Sequence, residues 1–420
     1  MDFSKFGKKM TCNAGILSLM EDLGKAAATG GPGMIMMGGG NPAQVPEFQE
    51  IMRKRLLEIC GDPEVFRSLI GAYGPPKGET GLVAGLAKLF QQECGWQIGP
   101  ENICLTNGSQ TAFFMLFNLF GGACPGGAQR RICLPLAPEY IGYADLGISE
   151  DLFISFRPRL EMLPDNQFKY HIDFERLEIG EDIGAICVSR PTIPTGNVVT
   201  DAELTKLASL AAQNEIPLIV DSAYGLPFPG MVYCDAKPTW NENLILCLSL
   251  SKLGLPSVRT GIVVARREVI QALTAMNAIM SLSPNSFGPV LVQQFVESQQ
   301  ITEISRKMMQ PFYRRKMEMA LQTVKQFFAD LPYRVHRPEG AMFIWFSFEA
   351  LPISSLELYR RLKEKGVLVV SGHYFFPGLE EEWPHRQECI RVTYTENDEK
   401  VKRGLEIISE VVRAAYTSGS

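Results

Sequence analysis

The sequence predicts an α/β fold: a mainly parallel sheet covered by helices, followed by a smaller α+β domain. Between residues 103 and 265 lie the short apolar runs ICLT, RICLP, AICVS, PLIVD, LILCLS and GIVVA, each bounded by turn residues. Strands that are apolar on both faces are typical of parallel sheets buried on both sides. Longer amphipathic stretches separate several of these runs, which favours helical crossovers between parallel strands.

The composition is that of an ordinary globular protein with a small-molecule partner. The chain has 420 residues, of which 46% are hydrophobic and 21% charged, and its net charge is -5. This length suits one large domain that carries a smaller one. The negative charge and the lack of a basic cluster argue against a nucleic-acid binder.

Cysteine and histidine usage predicts a cytoplasmic protein without a metal site. The ten cysteines are scattered singly with no CxxC pair, as expected for reduced thiols, and the four histidines show no HExxH-type spacing. The N-terminus lacks the apolar segment of a signal peptide, and the longest apolar window is too short to span a bilayer. We therefore expect no membrane partner.

A crossover helix is predicted at residues 200–215, TDAELTKLASLAAQNE. Thr200 is a good N-cap, and Glu203 three positions later completes a capping-box pattern. The apolar residues that follow keep helical spacing, so this segment is expected to connect two strands.

The α/β pattern ends near residue 300, where we place a domain boundary. Residues 301–330 predict a long helix interrupted at Pro311, leading into the smaller domain. That domain is expected to hold strands in AMFIWFSF and VLVVS and helices near 354–365 and 396–415. The predicted division is an N-terminal segment that contributes to the small domain and covers the substrate (1–45), a large domain (46–300) and a small domain (301–420).

Ligands bind at the carboxyl ends of strands in such sheets, so the residues after each run are the candidate site. Gly108, Ser109 and Gln110 follow ICLT and open a helix whose free N–H groups favour a phosphate. Tyr140 and Tyr143 lie on the loop after RICLP, where an aromatic ring could stack on a ligand or simply pack.

The later strand ends supply charged groups. Asp221 ends a buried run, which is costly unless the carboxylate meets a cation such as a protonated pyridine nitrogen or caps the next turn. Ser249 and Arg259 could complete a phosphate cup. Lys252 is either a solvated loop lysine or a buried amine of depressed pKa that acts as a nucleophile. In this order, these groups meet the needs of pyridoxal 5'-phosphate.

The ordered motifs resemble those of fold-type I aminotransferases of the aspartate aminotransferase superfamily. The resemblance rests on GGGNP (38–42), YGPPKGETGL (73–82), NGSQTA, PEY, RPTIPTGNV (190–198), DSAYG, SLSKLGLP and CIRVTY (389–394). It implies a seven-stranded, mainly parallel sheet, pyridoxal 5'-phosphate as cofactor, and a homodimer with shared sites.

The same resemblance implies a role for each matching residue. Lys252 matches the lysine that bonds the cofactor aldehyde and moves the substrate proton, Asp221 matches the partner of the pyridine nitrogen, and Tyr224 matches the phenol at O3'. The phosphate cup would comprise Gly108, Ser109, Gln110, Ser249 and Arg259. Tyr140 matches the stacking aromatic, Tyr73 a tyrosine reaching the neighbouring subunit's phosphate, Arg391 the arginine that holds the substrate carboxylate, and Gly40 and Asn41 the segment that closes over the substrate.

One position departs from the family pattern. Ile193 stands in TIPTG where the family has an asparagine that bonds O3'.

The leading interpretation is transamination between L-valine, or a similar small aliphatic amino acid, and pyruvate, with residues 10–24 as apolar cover. The alternatives are another aliphatic donor, a lyase or amino-acid oxidase that uses the same cofactor, or a binding protein that kept the fold.

Overall fold

The structure is a computed structural model that describes residues 1–11, 17, 21, 24 and 34–418. Its strands are β1 (Ile35–Met36), β2 (Ile103–Thr106), β3 (Gly122–Ala123), β4 (Gln129–Leu134), β5 (Phe153–Ser155), β6 (Arg159–Leu163), β7 (Gln167–His171), β8 (Ile183–Ser189), β9 (Leu218–Asp221), β10 (Leu244–Ser249), β11 (Gly261–Val264), β12 (Tyr333–His336), β13 (Phe343–Phe348), β14 (Val367–Leu368), β15 (Val370–Ser371) and β16 (Cys389–Thr393). Its helices are α1 (Lys5–Met10), α2 (Pro46–Gly61), α3 (Pro63–Gly71), α4 (Thr80–Cys94), α5 (Ser109–Phe120), α6 (Asp201–Gln213), α7 (Arg267–Ser281), α8 (Phe287–Glu297), α9 (Gln300–Ile304), α10 (Gln310–Phe327), α11 (Ser355–Glu364), α12 (His385–Glu388) and α13 (Asp398–Ser418). In this described part of the chain, no helix has the length and apolar character needed to cross a membrane.

The larger sheet is mainly parallel, as predicted. Within residues 34–418 it runs in the order β2-β11-β10-β9-β8-β4-β3, with β5 paired to β4. The pairs from β10 through β9, β8 and β4 to β5 are parallel, whereas β11 is antiparallel to both β10 and β2. The two-residue β3 adds a short antiparallel edge to the expected seven strands. Each of the apolar runs predicted as strands is confirmed.

Helices cover this sheet on both faces because successive strand residues point in opposite directions. In β8, Ala185 and Cys187 pack into a core with side chains of α5 and α7. Ile186 and Val188 pack into a second core with side chains of α4, α6 and α8. The absence of polar alternation in the sequence therefore reflects a sheet buried on both sides.

In the described part of the chain, six strands of the larger sheet run in the same direction and end at one edge: β2, β4, β5, β8, β9 and β10. β2 runs in the same direction as β10 because both are antiparallel to β11. The last residues of β2, β8, β9 and β10 are Thr106, Ser189, Asp221 and Ser249. This edge is where ligands are expected in a doubly wound sheet, and it positions the site described below.

A second sheet lies in the smaller part of the molecule and has the order β15-β16-β13-β12-β7-β6. Its hairpin β6–β7 comes from residues 159–171, well before the predicted boundary near 300, and β7 pairs with β12 in parallel. The division into 1–45, 46–300 and 301–420 stays a prediction.

The crossover helix α6 begins as its sequence pattern predicts. The Thr200 hydroxyl accepts a hydrogen bond from the Glu203 N–H at 3.2 Å, and the Glu203 carboxylate accepts one from the Thr200 N–H at 2.9 Å. Each bond satisfies an N–H that the helix itself leaves free. The helix starts at Asp201 for this reason.

The predicted interruption at Pro311 takes the form of a π-helical turn. Residues 305–309 are π-helical and join α9 to α10, in which Pro311 occupies the first turn. Proline has no N–H to donate, and its ring crowds the carbonyl one turn earlier. A locally widened turn relieves that conflict without ending the helical arm.

Candidate active site

A cavity of about 1210 Å³ opens at the carboxyl edge of the larger sheet. It collects residues that lie far apart in the sequence. Those of the predicted site that line it are Gly40, Asn41, Ser109, Gln110, Tyr140, Ile193, Asp221, Tyr224, Ser249, Lys252, Arg259 and Arg391. The topology therefore brings twelve of the fourteen predicted residues to one place, leaving Gly108 and Tyr73.

Gly108 lies directly behind this lining and caps α5. Its φ of 87° falls in the left-handed region, and a Cβ atom there would overlap the Arg259 guanidinium. Glycine is therefore required both for the turn and for the approach of Arg259. The helix that follows has no side-chain cap, so its first N–H groups remain available to an anion.

Three other predicted phosphate ligands differ in how free they are. The Ser109 hydroxyl has no hydrogen-bond partner in residues 34–418 or the other described positions. The Gln110 amide donates to the Gly142 carbonyl at 2.9 Å, so its backbone N–H is the group left for a ligand. The Ser249 hydroxyl accepts from the Ser251 N–H at 3.1 Å and keeps its own proton to donate.

Asp221 is a buried carboxylate held by two neutral donors. The Tyr143 hydroxyl donates to Oδ2 at 2.7 Å, and the Ala223 N–H donates to Oδ1 at 2.9 Å. Burial raises the pKa of Asp221 to about 6, although these bonds and the charge of Lys252 act in the opposite direction. A cationic partner in the cavity would relieve the desolvation of this carboxylate.

The role of Tyr143 was not predicted from the sequence. It is fully buried and packs edge-on against Phe117 and Tyr140, with ring centroids 5.1 and 5.3 Å away. The available signal was its position three residues after Tyr140 on the same turn. Its hydrogen bond to Asp221 depends on a contact between two strand ends that spacing alone does not reveal.

Lys252 projects into the cavity and has no carboxylate partner in the described part of the chain. Its amine donates to the Gly40 carbonyl at 2.6 Å and lies 5.2 Å from the centre of the Tyr224 ring. Burial, followed by the positive charge of Arg391, lowers the pKa of Lys252 to about 8. An amine of that pKa is neutral in a useful fraction of molecules near physiological pH.

Arg391 is the buried arginine of the cavity. Its Nη2 donates to the Gly38 carbonyl at 2.7 Å, while its Nε has no hydrogen-bond partner among the described residues. The guanidinium lies 4.4 Å from the ring centre of Phe343 and 5.2 Å from that of Phe375. Burial lowers the pKa of Arg391 to about 10. A carboxylate ligand would satisfy the orphaned N–H.

The walls of the cavity near Asp221 are aromatic and aliphatic. Tyr140 lies over Gly142, where a Cβ atom would overlap its ring, and Ile193 is buried on the loop after β8. The Tyr224 side chain is buried, and no hydrogen bond to its hydroxyl is found in the described ranges. The Ile193 side chain has no polar atom, so on this wall the Tyr224 hydroxyl is the group that can donate a hydrogen bond.

Tyr73 lies outside the cavity, on the surface of the chain. It is 84% exposed, which is unusual for a large aromatic side chain. A Cβ atom on the adjacent Gly74 would lie 3.3 Å from the Ser286 hydroxyl, so Tyr73 neighbours a segment that also exposes Leu282 and Phe287.

The predicted apolar cover, residues 10–24, lies mostly outside the described residues. Met10, Thr11, Leu17, Glu21 and Gly24 are described, and of these Gly24 lines the cavity. The structure therefore places one end of that stretch at the site.

The residues present fit pyridoxal 5'-phosphate. Gly108 and the start of α5 form a cradle that a Cβ atom would fill, with Arg259 beside it. Among the described residues, Asp221 has no cationic side-chain partner within hydrogen-bond distance, and Lys252 supplies an amine of depressed pKa in the same cavity. An anion site, a carboxylate and a lysine are the donor set that this cofactor requires.

The chain belongs to the class I and II aminotransferases. A sequence model of that family matches residues 67–408. The protein is thus an aminotransferase with the type I fold of pyridoxal-phosphate enzymes, which confirms the predicted fold and cofactor. Its substrates are an amino acid and a keto acid.

The chain is also similar over almost its full length to individual aminotransferases. The chain is 48% identical over 416 residues to valine–pyruvate aminotransferase of Escherichia coli (strain K12), covering 99% of both proteins. It is 46% identical to the crystal structure of valine–pyruvate aminotransferase from Salmonella typhimurium LT2, with a TM-score of 0.88 over 96% of this chain and 100% of that one. A crystal structure from Psychrobacter arcticum 273-4 is 43% identical, with a TM-score of 0.96 and 99% coverage of each chain.

Proposed function

We propose that this aminotransferase exchanges the amino group between L-valine, or a similar small aliphatic amino acid, and pyruvate, giving a branched 2-keto acid and L-alanine. The observation that carries the proposal is the distribution of cations in the cavity. Within the described ranges, Arg391 keeps an Nε–H without a partner, whereas Arg315 and Lys316 both pair with Asp398 at 2.9 and 2.7 Å. One carboxylate is thus accommodated, and the full-length likeness to valine–pyruvate aminotransferases supports the same substrates.

Arg391 is proposed to hold the substrate carboxylate. A guanidinium offers two parallel N–H groups to a carboxylate, which an ammonium cannot do. Phe343 and Phe375 pack on the guanidinium and keep water from it. Gly40 and Asn41 would close over the substrate from the N-terminal side.

Lys252 is proposed as the nucleophile and the proton carrier. When bound, pyridoxal 5'-phosphate supplies an aldehyde that accepts the amino group and a ring that withdraws electrons from the substrate α-carbon. Burial lowers the pKa of the Lys252 amine to about 8, so its Nζ would take a proton from the substrate α-carbon and deliver it to the cofactor. Because Nζ has no carboxylate partner among the described residues, it can move between these positions.

Asp221 and Tyr224 are proposed to set the charge on the cofactor ring. The Asp221 carboxylate would hold a proton on the ring nitrogen, and Tyr143 orients it by donating to Oδ2. The Tyr224 hydroxyl would donate to the ring oxygen O3', which Ile193 cannot do. Tyr140 would stack on the ring, and the phosphate would be held by Gly108, Ser109, Gln110, Ser249 and Arg259.

A homodimer with shared sites is part of the proposal. Tyr73 is 84% exposed, and the neighbouring segment leaves Ile279, Leu282 and Phe287 exposed as well. Exposed apolar side chains of this density favour a protein interface. Tyr73 would then reach the phosphate in the site of the other subunit. We further propose that the dimer acts in the cytoplasm.

A second reaction is favoured by one residue. Ile193 removes an expected donor at the cofactor ring, and a changed electron distribution would suit a lyase or an amino-acid oxidase.

Incubation of the purified protein with L-valine and pyruvate distinguishes these reactions from transamination. We expect L-alanine and the branched 2-keto acid in equal amounts; ammonia or peroxide in place of alanine would contradict transamination. Replacing valine by other aliphatic donors ranks them, since such pockets discriminate by only ~1 to 3 kcal/mol.

A further inference from the structure

Glu139 is a buried acid for which the proposed reaction has no use. It lies between Pro138 and Tyr140 and is 0% exposed. No lysine, arginine or histidine pairs with it in the part of the chain that the structure describes. Acids are almost never fully buried without a partner, so this position calls for a specific explanation.

The Glu139 carboxyl group joins two walls of the cavity. Its Oε1 accepts from the Ser189 N–H at 2.8 Å, and its Oε2 accepts from the Ser189 hydroxyl and from the Tyr140 N–H at 3.2 Å. The Ser189 Oγ in turn accepts from the Ile193 N–H at 3.3 Å. One side chain thus fixes both Tyr140 and Ile193, which line the cavity from different loops.

The backbone of Glu139 reaches a third wall. Its N–H donates to the Phe375 carbonyl at 2.8 Å. The Phe375 ring packs on Arg391, with the guanidinium carbon 5.2 Å from the ring centre. The segment around Glu139 therefore connects the ring-binding and carboxylate-binding parts of the site.

The charge of Glu139 is governed first by burial and then by its hydrogen bonds and acidic neighbours. The titratable groups that face it are Asp221 on β9, Cys187 on β8, and Tyr143 on its own loop. Burial, with the negative charge of Asp221 in the same direction, raises the pKa of Glu139 to about 8. Each of the three hydrogen bonds at the Glu139 carboxyl group is donated to it, two by backbone N–H groups and one by the Ser189 hydroxyl, and these bonds lower its pKa against the effect of burial.

We propose that Glu139 is a positioning residue that aligns Tyr140 and, through Ser189, Ile193 on the cofactor ring. The proposal rests on the cofactor site described above and adds to it a bridge beneath that site. Loss of the bridge lets the two loops move independently, so the ring is held less tightly and less asymmetrically. A glutamine keeps one oxygen for the Ser189 N–H but places an NH2 group where Oε2 accepts from the Tyr140 N–H, whereas an alanine keeps neither acceptor.

The test compares Glu139→Ala, Glu139→Gln and Ser189→Ala as holoenzymes. Equilibrium dialysis gives the dissociation constant of pyridoxal 5'-phosphate, and visible circular dichroism reports how asymmetrically the ring is held. We expect Glu139→Ala to raise the dissociation constant by at least about tenfold and to weaken the visible dichroism, with Glu139→Gln intermediate between Glu139→Ala and wild type. Ser189→Ala, which keeps the backbone N–H of residue 189, should also be intermediate.

Glu388→Ala is the matched control. Its carboxylate also accepts a backbone N–H, that of Ala350 at 3.0 Å, but it lies outside the cavity. We expect wild-type cofactor affinity and dichroism in this variant, even where its melting temperature falls. Equal losses in Glu388→Ala and Glu139→Ala overturn the positioning role.

Two further results also overturn it: wild-type affinity and dichroism in Glu139→Ala, or a loss in Glu139→Gln as large as that in Glu139→Ala. If Glu139→Ala does not fold, Ser189→Ala decides, and unchanged affinity there contradicts the bridge. None of these readouts is turnover. Wild-type protein that binds the cofactor but forms no alanine would contradict the proposed function alone.

Discussion

Asp221 and Lys252 meet in one cavity, and burial moves the pKa of each toward neutrality. The pKa of Asp221 rises to about 6 and that of Lys252 falls to about 8. Between these values the carboxylate is ionised, while part of the lysine population has lost its proton. The window in which both residues have the protonation states that their proposed roles require therefore lies close to physiological pH.

Tyr143→Phe should move the lower edge of this window upward. The hydroxyl that donates to Asp221 lowers the pKa of that carboxyl, so its removal raises the pKa further above 6. A hydrogen bond to a charged group contributes about 1.5 to 3 kcal/mol, which corresponds to about one to two pH units. Cofactor affinity measured against pH should show its acidic limb shifted by that amount. A limb that stays in place would assign it to another group.

Ile193→Asn should shift the pH at which the bound cofactor changes its visible absorbance. An asparagine amide can donate to the ring oxygen O3' and stabilise its negative charge, which isoleucine cannot do. The group that shares a proton with O3' then loses that proton more easily. The pH at which the absorbance changes should therefore fall by about one to two units. Ile193→Leu is the control of similar volume. Coincident titrations of the asparagine variant and wild type would place Ile193 away from O3'.

Residue types at strand ends were predictable, but their partners were not. Asp221 and Lys252 follow apolar runs, and the topology rule brings such positions to one edge. Glu139 and Tyr143 also follow an apolar run, but their roles depend on contacts with Ser189 and Asp221, which lie on other strands. Sequence spacing gives the location of a side chain along its own strand and not its cross-strand neighbour.

Elements with local signals were predicted, and those defined by long-range pairing were not. The capping box at Thr200 marks the start of α6 within a few residues of sequence. The pairing of β7 with β12 joins residues 167–168 to 335–336, and nothing local specifies it. The reversed direction of β11 was missed for the same reason, since an apolar run does not reveal which way its neighbours point.

The contact between α10 and α13 carries a prediction about specificity. Asp398 neutralises Arg315 and Lys316 at the cavity. Asp398→Asn should leave two cations unpaired there and favour substrates with a second carboxylate. We expect kcat/KM for L-glutamate to rise about threefold to tenfold relative to L-alanine, a modest effect because Arg315 is solvent-exposed. Glu410→Gln, farther along α13, should leave the ratio of kcat/KM for L-glutamate to that for L-alanine unchanged. An unchanged ratio in Asp398→Asn would show that this ion pair does not control specificity.

For the molecule as a whole, the exposed Tyr73 predicts complementation between subunits. In a hybrid of a Tyr73→Ala subunit and a Lys252→Ala subunit, shared sites would place both defects in one site and none in the other. About half of the wild-type activity per dimer should remain, because one complete site is assembled. Homodimers of Lys252→Ala should be inactive, with rates at least about a hundredfold lower. A hybrid no more active than the Tyr73→Ala homodimer would show that each subunit uses its own Tyr73.

The backbone carbonyls of Gly38 and Gly40 already accept hydrogen bonds from Arg391 and Lys252. These two donors are the ones that an arriving substrate would need, so the chain contains its own competitor, tethered at high effective concentration. Observed substrate affinity is then the difference between two sets of hydrogen bonds rather than the strength of one. A substrate that binds must release the 38–40 segment from at least one of these donors. Turnover would therefore couple each arrival and departure at the site to an exchange of partners within the protein itself.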